Sequence, residues 1–165
     1  MSTISYYHIH IDNQVIVSNG EQYQNGTNTT SKGIEVELIA NPTPGLNFVS
    51  GYTHNKAYYE DTPDLRMTYS PENLFNFWGS YQVMQGDLKG LGCGIGLNYA
   101  SKTFVNTTNT FGSSAYTVAD AAVFYQLPKI KFSLKVDNLT DKHYYNPYGQ
   151  AQKPRNFKAG ISYQF

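Results

Sequence analysis

A chain of 165 residues is long enough for one domain and too short to expect two. Twelve basic and twelve acidic residues cancel, and no basic run interrupts the sequence, so nucleic acid is excluded as a partner on electrostatic grounds. A single cysteine, Cys93, rules out an internal disulfide framework, while fifteen tyrosines, nine phenylalanines and fourteen glycines favour strands over helices.

Alternation of apolar and polar residues predicts eight strands, at 4–16, 32–41, 45–57, 74–85, 90–103, 115–127, 129–139 and 155–165. The first holds "HIH", a possible metal-ligand pair of His8 and His10 with Asp12 in register; with no third nitrogen or sulfur nearby, the plainer reading is two polar residues facing a wet interior. In "KGIEVELIA", Ile34, Val36, Leu38 and Ala40 oppose Gly33, Glu35 and Glu37. In "FNFWGSYQV" and "LGCGIGLNY" the apolar sets are Phe75, Phe77, Gly79, Tyr81, Val83 and Leu91, Cys93, Ile95, Leu97, Tyr99, the latter opposed by three glycines. In "IKFSLKVDN", Ile130, Phe132, Leu134 and Val136 oppose Lys131, Ser133, Lys135 and Asp137. The closing "FKAGISYQF" places Phe157, Ala159, Ile161, Tyr163 and Phe165 on one face.

Links at 41–45, 85–90 and 127–129 are short; those at 19–31, 55–73, 102–114 and 140–154 are long. Such strict alternation trims one end of an up-and-down sheet and elaborates the other, the habit of an outer-membrane barrel. Strand length fits the roughly 9–11 residues of a tilted crossing. Tyr81, Tyr125, Tyr163 and Phe165 fall towards the short-turn end, and Tyr52 and Tyr99 towards the long-loop end, like two interfacial girdles. Lys131, Lys135, Asp137, Glu35, Glu37, His8, His10, Asn76, Gln82 and Asn98 would be ruinous packed together dry and are natural facing water. The expected fold is therefore all-β: an antiparallel up-and-down meander of about eight strands of transmembrane β-barrel type, apolar outside and polar inside. A mean hydropathy of −0.47 does not oppose this, because such strands hide only alternate residues in lipid.

Catalytic signatures are missing: no G-x-S-x-G elbow, phosphate loop or H-E-x-x-H occurs, and the Gly-x-Gly run at 92–96 lacks the strand, turn and helix of a dinucleotide site. No enzyme, catalytic residue, metal or cofactor is expected. Asn-x-Ser/Thr triplets at Asn25, Asn28, Asn106 and Asn138 read as Asn- and Thr-rich loops.

The stretches "TSKGIEVEL", "GLNFVSGYTH", "YTVADAAVFYQL", "LKVDNLTDKHYYN" and "RNFKAGISYQF" resemble the C-terminal barrel of TonB-dependent outer-membrane receptors, particularly those for ferric siderophores. The resemblance covers essentially residues 1–165 and is most specific at 134–165. It implies that the chain is a sector of a barrel of about twenty-two strands, without the plug, TonB box and signal peptide of the whole receptor. Its implied setting is the bacterial outer membrane. Implied partners are outer-membrane lipid, a ferric siderophore as transported ligand, the barrel-assembly machinery reading Phe157, Ala159, Ile161, Tyr163 and Phe165, and the TonB complex only through the plug. The loop aromatics Tyr58, Tyr59, Phe104, Phe111, Tyr144, Tyr145 and Tyr148 would either cover an iron chelate or pack loop against loop. Lys142, His143, Lys153 and Arg155 would supply charge for an anionic complex or simply solvate the surface. Two other readings remain: a small standalone membrane barrel serving as anchor or adhesin, and a soluble lipocalin-like carrier with an apolar interior.

Overall fold

A computed structural model describes residues 1–13, 15–18, 21–24 and 28–165. The strands are β1 (Ser2–Ile11), β2 (Val15–Ser18), β3 (Glu21–Gln24), β4 (Thr29–Thr43), β5 (Leu46–Tyr59), β6 (Asn73–Gln82), β7 (Leu91–Ala100), β8 (Thr103–Phe104), β9 (Gly112–Ser113), β10 (Tyr116–Gln126), β11 (Ile130–Asp137) and β12 (Asn156–Tyr163). Eight of them form one antiparallel sheet in the order β1-β4-β5-β6-β7-β10-β11-β12, while β2-β3 and β8-β9 are small hairpins inside long loops. Every predicted strand has its counterpart. The first is shorter than expected: β1 stops at Ile11, Asn13 takes a positive φ of 50°, and the chain re-enters as β2 in a separate sheet. Gln14 of that expected strand and the Asn25 triplet lie outside the described residues.

The short connections are made by residues that turn cheaply. Between β4 and β5 only Pro44 and Gly45 remain, because the ladder continues past an irregularity between Ala40 and Thr43 that accommodates Pro42, which has no N–H to give. Gly45 has a φ of 86°, a conformation that favours glycine. The opposite end carries the loops at 12–28, 60–72, 101–115 and 138–155.

Register sorts the side chains into two faces. The rows Ala40-Phe48-Gly79-Ile95-Ala121-Val136-Phe157 and Ile4-Val36-Tyr52-Phe75-Tyr99 run across the sheet on the apolar face. Tyr81, Tyr125 and Tyr163 lie on that face towards the short turns, and Tyr52 and Tyr99 towards the long loops, as two belts. This face is open: Ile4 is 76% exposed, Phe157 69% and Ile161 73%. Among the described residues the buried hydrophobic ones are only Ala57, Ala100 and Val118, so the sheet encloses no apolar core of its own. Such a surface is stable only against an apolar medium.

The polar face is the more organised. Lys135 Nζ lies 2.6 Å from Asp137 Oδ1 and 3.7 Å from Asp120 Oδ2, and Lys158 joins Asp137. The Trp78 ring lies over bare glycine backbone, where a Cβ on Gly94 would fall 2.5 Å from Cζ2 and one on Gly96 2.7 Å from Cε3. Lys135 stands 6.0 Å above that ring and Lys131 4.6 Å above Phe124. Further along, Tyr7 and Ser31 both donate to Asn55 Oδ1, and Asn55 Nδ2 donates to Ser70 Oγ.

One assignment needs correcting. His8 and His10 do not share the polar face: they alternate with Tyr7 and Ile9 and stand opposite Lys32 and Thr30, in line with Ile4 and Tyr6. The apolar set changes phase within β1, even-numbered through Tyr6 and odd-numbered from Ile9, so alternation read over the second half points the wrong way. Among the described residues no group of three metal-ligating side chains gathers around the pair. His10 Nε2 meets Asp12 Oδ1 at 2.9 Å while Nδ1 lies 3.1 Å from Glu60 Oε1, carboxylates on opposite sides of one ring.

Candidate functional site

The loops at 60–72, 101–115 and 138–155 fold onto one another. Tyr69 N–H donates to the Phe104 carbonyl at 2.8 Å, Arg66 N–H donates to Asn109 Oδ1 at 2.7 Å, and Asn109 Nδ2 donates back to the Arg66 carbonyl at 3.0 Å. Thr103 Oγ1 and Ser113 Oγ donate to the carbonyls of Pro147 and Asn146 in the last loop. Tyr69 stacks on Tyr148 with ring centroids 5.6 Å apart, and Tyr144 lies against Tyr116 at 4.5 Å. The three loops thus form one hydrogen-bonded cap.

Asparagines hold the 101–115 and 138–155 loops in shape. Asn138, only 3% exposed and at a φ of 53°, donates from Nδ2 to the carbonyls of Lys142 and Lys153 and accepts the Lys142 N–H at Oδ1. Its own N–H donates to Asp120 on the sheet, tying the loop base to the polar face. Asn106 Oδ1 accepts the N–H groups of Thr110 and Phe111, and Asn146 Oδ1 those of Tyr148 and Gln150. Loop composition alone did not reveal these roles. The available signal was an asparagine followed by Thr, Pro or Gly within a few residues, since its short amide closes backbone turns and tolerates positive φ.

Between the third and fourth long loops lies a cavity of about 560 Å³ lined by Phe111, Tyr144, Tyr145, Lys142 and His143 together with Val105 and the β9 residues. Five of the predicted side chains therefore meet. Tyr144 is kept a neutral phenol: burial, then the charges of Asp120 and Asp137, push its pKa above the ordinary value. It can donate a hydrogen bond throughout the neutral range. Phe111 is 71% exposed and Tyr145 57%, so both rings remain open to an incoming molecule.

The other candidates lie elsewhere. Tyr148 is spent on Tyr69, and Phe104 sits beneath the Lys102 ammonium at 4.6 Å. Tyr58 lines a smaller cavity of about 240 Å³ under the 60–72 loop, beside Arg66, which pairs with Glu72. Tyr59 ends β5 opposite Thr29, away from both cavities. Arg155 is held at the base of the last loop, its N–H on Asp141 Oδ1 at 2.8 Å and its Nη1 on the Leu139 carbonyl. The Lys153 carbonyl serves Asn138.

An apolar outward face, a polar inward face, short turns at one end and interlocked loops at the other define a transmembrane β-barrel wall bearing a loop platform. The chain belongs to the TonB-dependent receptor family: the profile described as "TonB dependent receptor-like, beta-barrel" matches residues 1–139. It is 33% identical over 123 residues to the ferrioxamine B receptor of Salmonella typhimurium strain LT2, covering 69% of this chain and 18% of that protein. It is 32% identical over 136 residues to the ferrichrome outer membrane transporter/phage receptor of Escherichia coli K12, covering 75% and 18%. With the ferric-pyoverdine BN7/BN8 receptor of Pseudomonas putida it shares 30% over 169 residues, covering 99% and 20%. Among solved structures, the closed form of the ferric-catecholate import receptor Fiu of E. coli K12 superposes with a TM-score of 0.77 at 26% identity, over 99% of this chain and 25% of that one. The siderophore receptor PiuA of Acinetobacter baumannii gives a TM-score of 0.81 at 20% identity, which speaks for the fold. The chain thus spans between 18% and 20% of the length of these curated relatives.

Proposed function

We infer that this chain is the C-terminal wall of an outer-membrane receptor for ferric siderophores, acting by binding and passage and not by catalysis. The cavity under the third and fourth long loops carries the reading: aromatic rings for a chelate's organic shell stand beside Lys142 and His143, which suit an anionic complex. The names of its relatives, receptors for ferrioxamine, pyoverdine and catecholate siderophores, point the same way. The iron belongs to the cargo. Energised transport would run through a plug contacting TonB. Phe157, Ala159, Ile161, Tyr163 and Phe165 would present the apolar outer row of the closing strand to the barrel-assembly machinery.

The test is ligand binding by an intact receptor containing this segment. Phe111→Ala, Tyr144→Ala and Lys142→Ala should each weaken binding of the cognate ferric siderophore by roughly tenfold, about 1.4 kcal/mol, while Arg155→Gln should leave it nearly unchanged. Full affinity in all three cavity variants would exclude the cavity as the binding site. Neither other reading has a comparable observation behind it. A lipocalin-like carrier needs its apolar side chains inside, and here the ion pairs and amides share the organised face while the apolar rows lie open.

A further inference from the structure

Asp120 is the one charged residue of β10, set on the polar face opposite Gly96. Its side chain is only 16% exposed, and its two oxygens serve different partners. Oδ1 accepts the Asn138 N–H at 2.9 Å, where β11 gives way to the last long loop, and Oδ2 stands 3.7 Å from Lys135 Nζ. Lys135 in turn holds Asp137, which holds Lys158 on the closing strand. Asn138 carries the constraint outward, since its amide accepts the Lys142 N–H and donates to the Lys142 carbonyl. Lys142 opens the run of His143, Tyr144 and Tyr145 that lines the cavity of about 560 Å³. Hydrogen bonds and ion pairs thus run unbroken from the barrel wall to the cavity, and Asp120 is the point where wall and loop meet.

A carboxylate taken largely out of water loses hydration, and the loss is offset only where its partners are held in place. Lys135 offsets part of it, because that ammonium also serves Asp137 at the shorter distance of 2.6 Å. The rest falls to the Asn138 N–H, so the turn that opens the last loop is held against the wall by a charge-assisted bond. The same carboxylate, together with Asp137, acts on the Tyr144 phenol in the cavity above.

We propose that Asp120 is a positioning residue for the cavity: from the barrel wall it fixes the turn at Asn138, and so the placement of Lys142, His143, Tyr144 and Tyr145 against a ligand. This rests on the reading of that cavity as the siderophore site. Its charge has a second effect at Tyr144. Asp120 and the Tyr116 ring approach that phenol from β10, Asp137 acts from β11, and Lys142 and His143 sit beside it on its own loop. Burial and the two carboxylates prevail over the neighbouring bases and keep the phenol protonated. With Lys142 beside it, the phenol makes this wall of the cavity a set of hydrogen-bond donors, suited to the arm of a chelate that presents acceptor oxygens.

The experiment uses the intact receptor containing this segment, in detergent, with 3-fluorotyrosine at position 144 read by fluorine NMR. Affinity is measured with ferrioxamine B, ferrichrome and a ferric pyoverdine, the tightest binder of wild type serving as the probe. Asp120→Ala removes the acceptor of the Asn138 N–H and should weaken probe binding about tenfold. Asp120→Asn keeps an acceptor oxygen there and should bind as wild type does at neutral pH, while the fluorophenol at 144 ionises at lower pH. Lys131→Gln, on the same face but over Phe124, should change neither readout. Wild-type affinity in Asp120→Ala overturns the proposal, and so does an unshifted fluorine titration in Asp120→Asn, the result expected of a purely structural residue. Tyr144→Ala and Lys142→Ala separate the two readings. If both bind the probe at full strength, the cavity is not the siderophore site; if both weaken while Asp120→Ala does not, the role of Asp120 alone is lost. If Asp120→Ala fails to assemble, the titration of Asp120→Asn, which needs no ligand, decides.

Discussion

At the scale of single residues, Asn138 does more than its place in a loop suggests. Its amide closes both strands of the last loop, and the left-handed backbone it occupies suits asparagine better than most residues. Asn138→Ala would leave the carbonyls of Lys142 and Lys153 and the Lys142 N–H without their partner, at a cost of about 1–3 kcal/mol. Asn138→Gly would relieve the backbone but not the lost bonds. Limited proteolysis of the intact receptor should therefore cut at 139–154 in both variants and not in wild type; protection of the alanine variant would show the loop held by its neighbours instead. The histidines of β1 mark the limit of residue-level reading. Their polarity suggested water, but the strand changes apolar phase between Tyr6 and Ile9, and only the register with β4 shows that they look outward.

At the scale of elements, strands with a single uninterrupted alternation were fully legible. The apolar sets expected in β4, β6, β7, β11 and β12 are those on the outward rows, except Val83 and Phe165, which lie past the ends of β6 and β12, because a two-residue period leaves no freedom once one face must meet lipid. The loop cap was not legible, since its contacts join segments more than thirty residues apart, such as Arg66 to Asn109 and Ser113 to Asn146, through backbone groups that every residue carries. That is why Phe111, Tyr144 and Tyr145 could be nominated as loop aromatics while their meeting with Lys142 and His143 could not be foreseen. β7 offers a direct check on sidedness. Cys93 lies opposite Tyr81 and Val123 on the outward face, whereas Gly94 faces Trp78. In a membrane-embedded receptor, an apolar maleimide should label Cys93 and a charged, lipid-insoluble thiol reagent should not. Cys93→Ser combined with Ser80→Cys, on the inward face beside Gly94, should reverse that pattern. Labelling of Cys93 by the charged reagent in intact membranes would mean the faces have been exchanged.

At the scale of the whole molecule, the eight-stranded sheet is open, with β1 pairing only β4 and β12 only β11 among the described residues. Its outer edges therefore present unpaired backbone N–H and C=O groups, each costing several kcal/mol in hydrocarbon. Closing the sheet on itself would demand a steeper tilt and a different stagger from those of a wide barrel, since strand number, shear and diameter are linked. The apolar rows and the polar lumen network also require opposite media on their two sides, and only a completed barrel supplies both. The 165-residue chain refolded alone in detergent should accordingly show no compact band whose mobility shifts on heating, and should associate through its edges. Supplying the remaining strands in trans should restore such a band if edge pairing is the missing element. A monomeric, heat-modifiable band from this chain alone would instead show that eight strands of this sequence can adjust their stagger and close, and that the wall is a barrel in its own right.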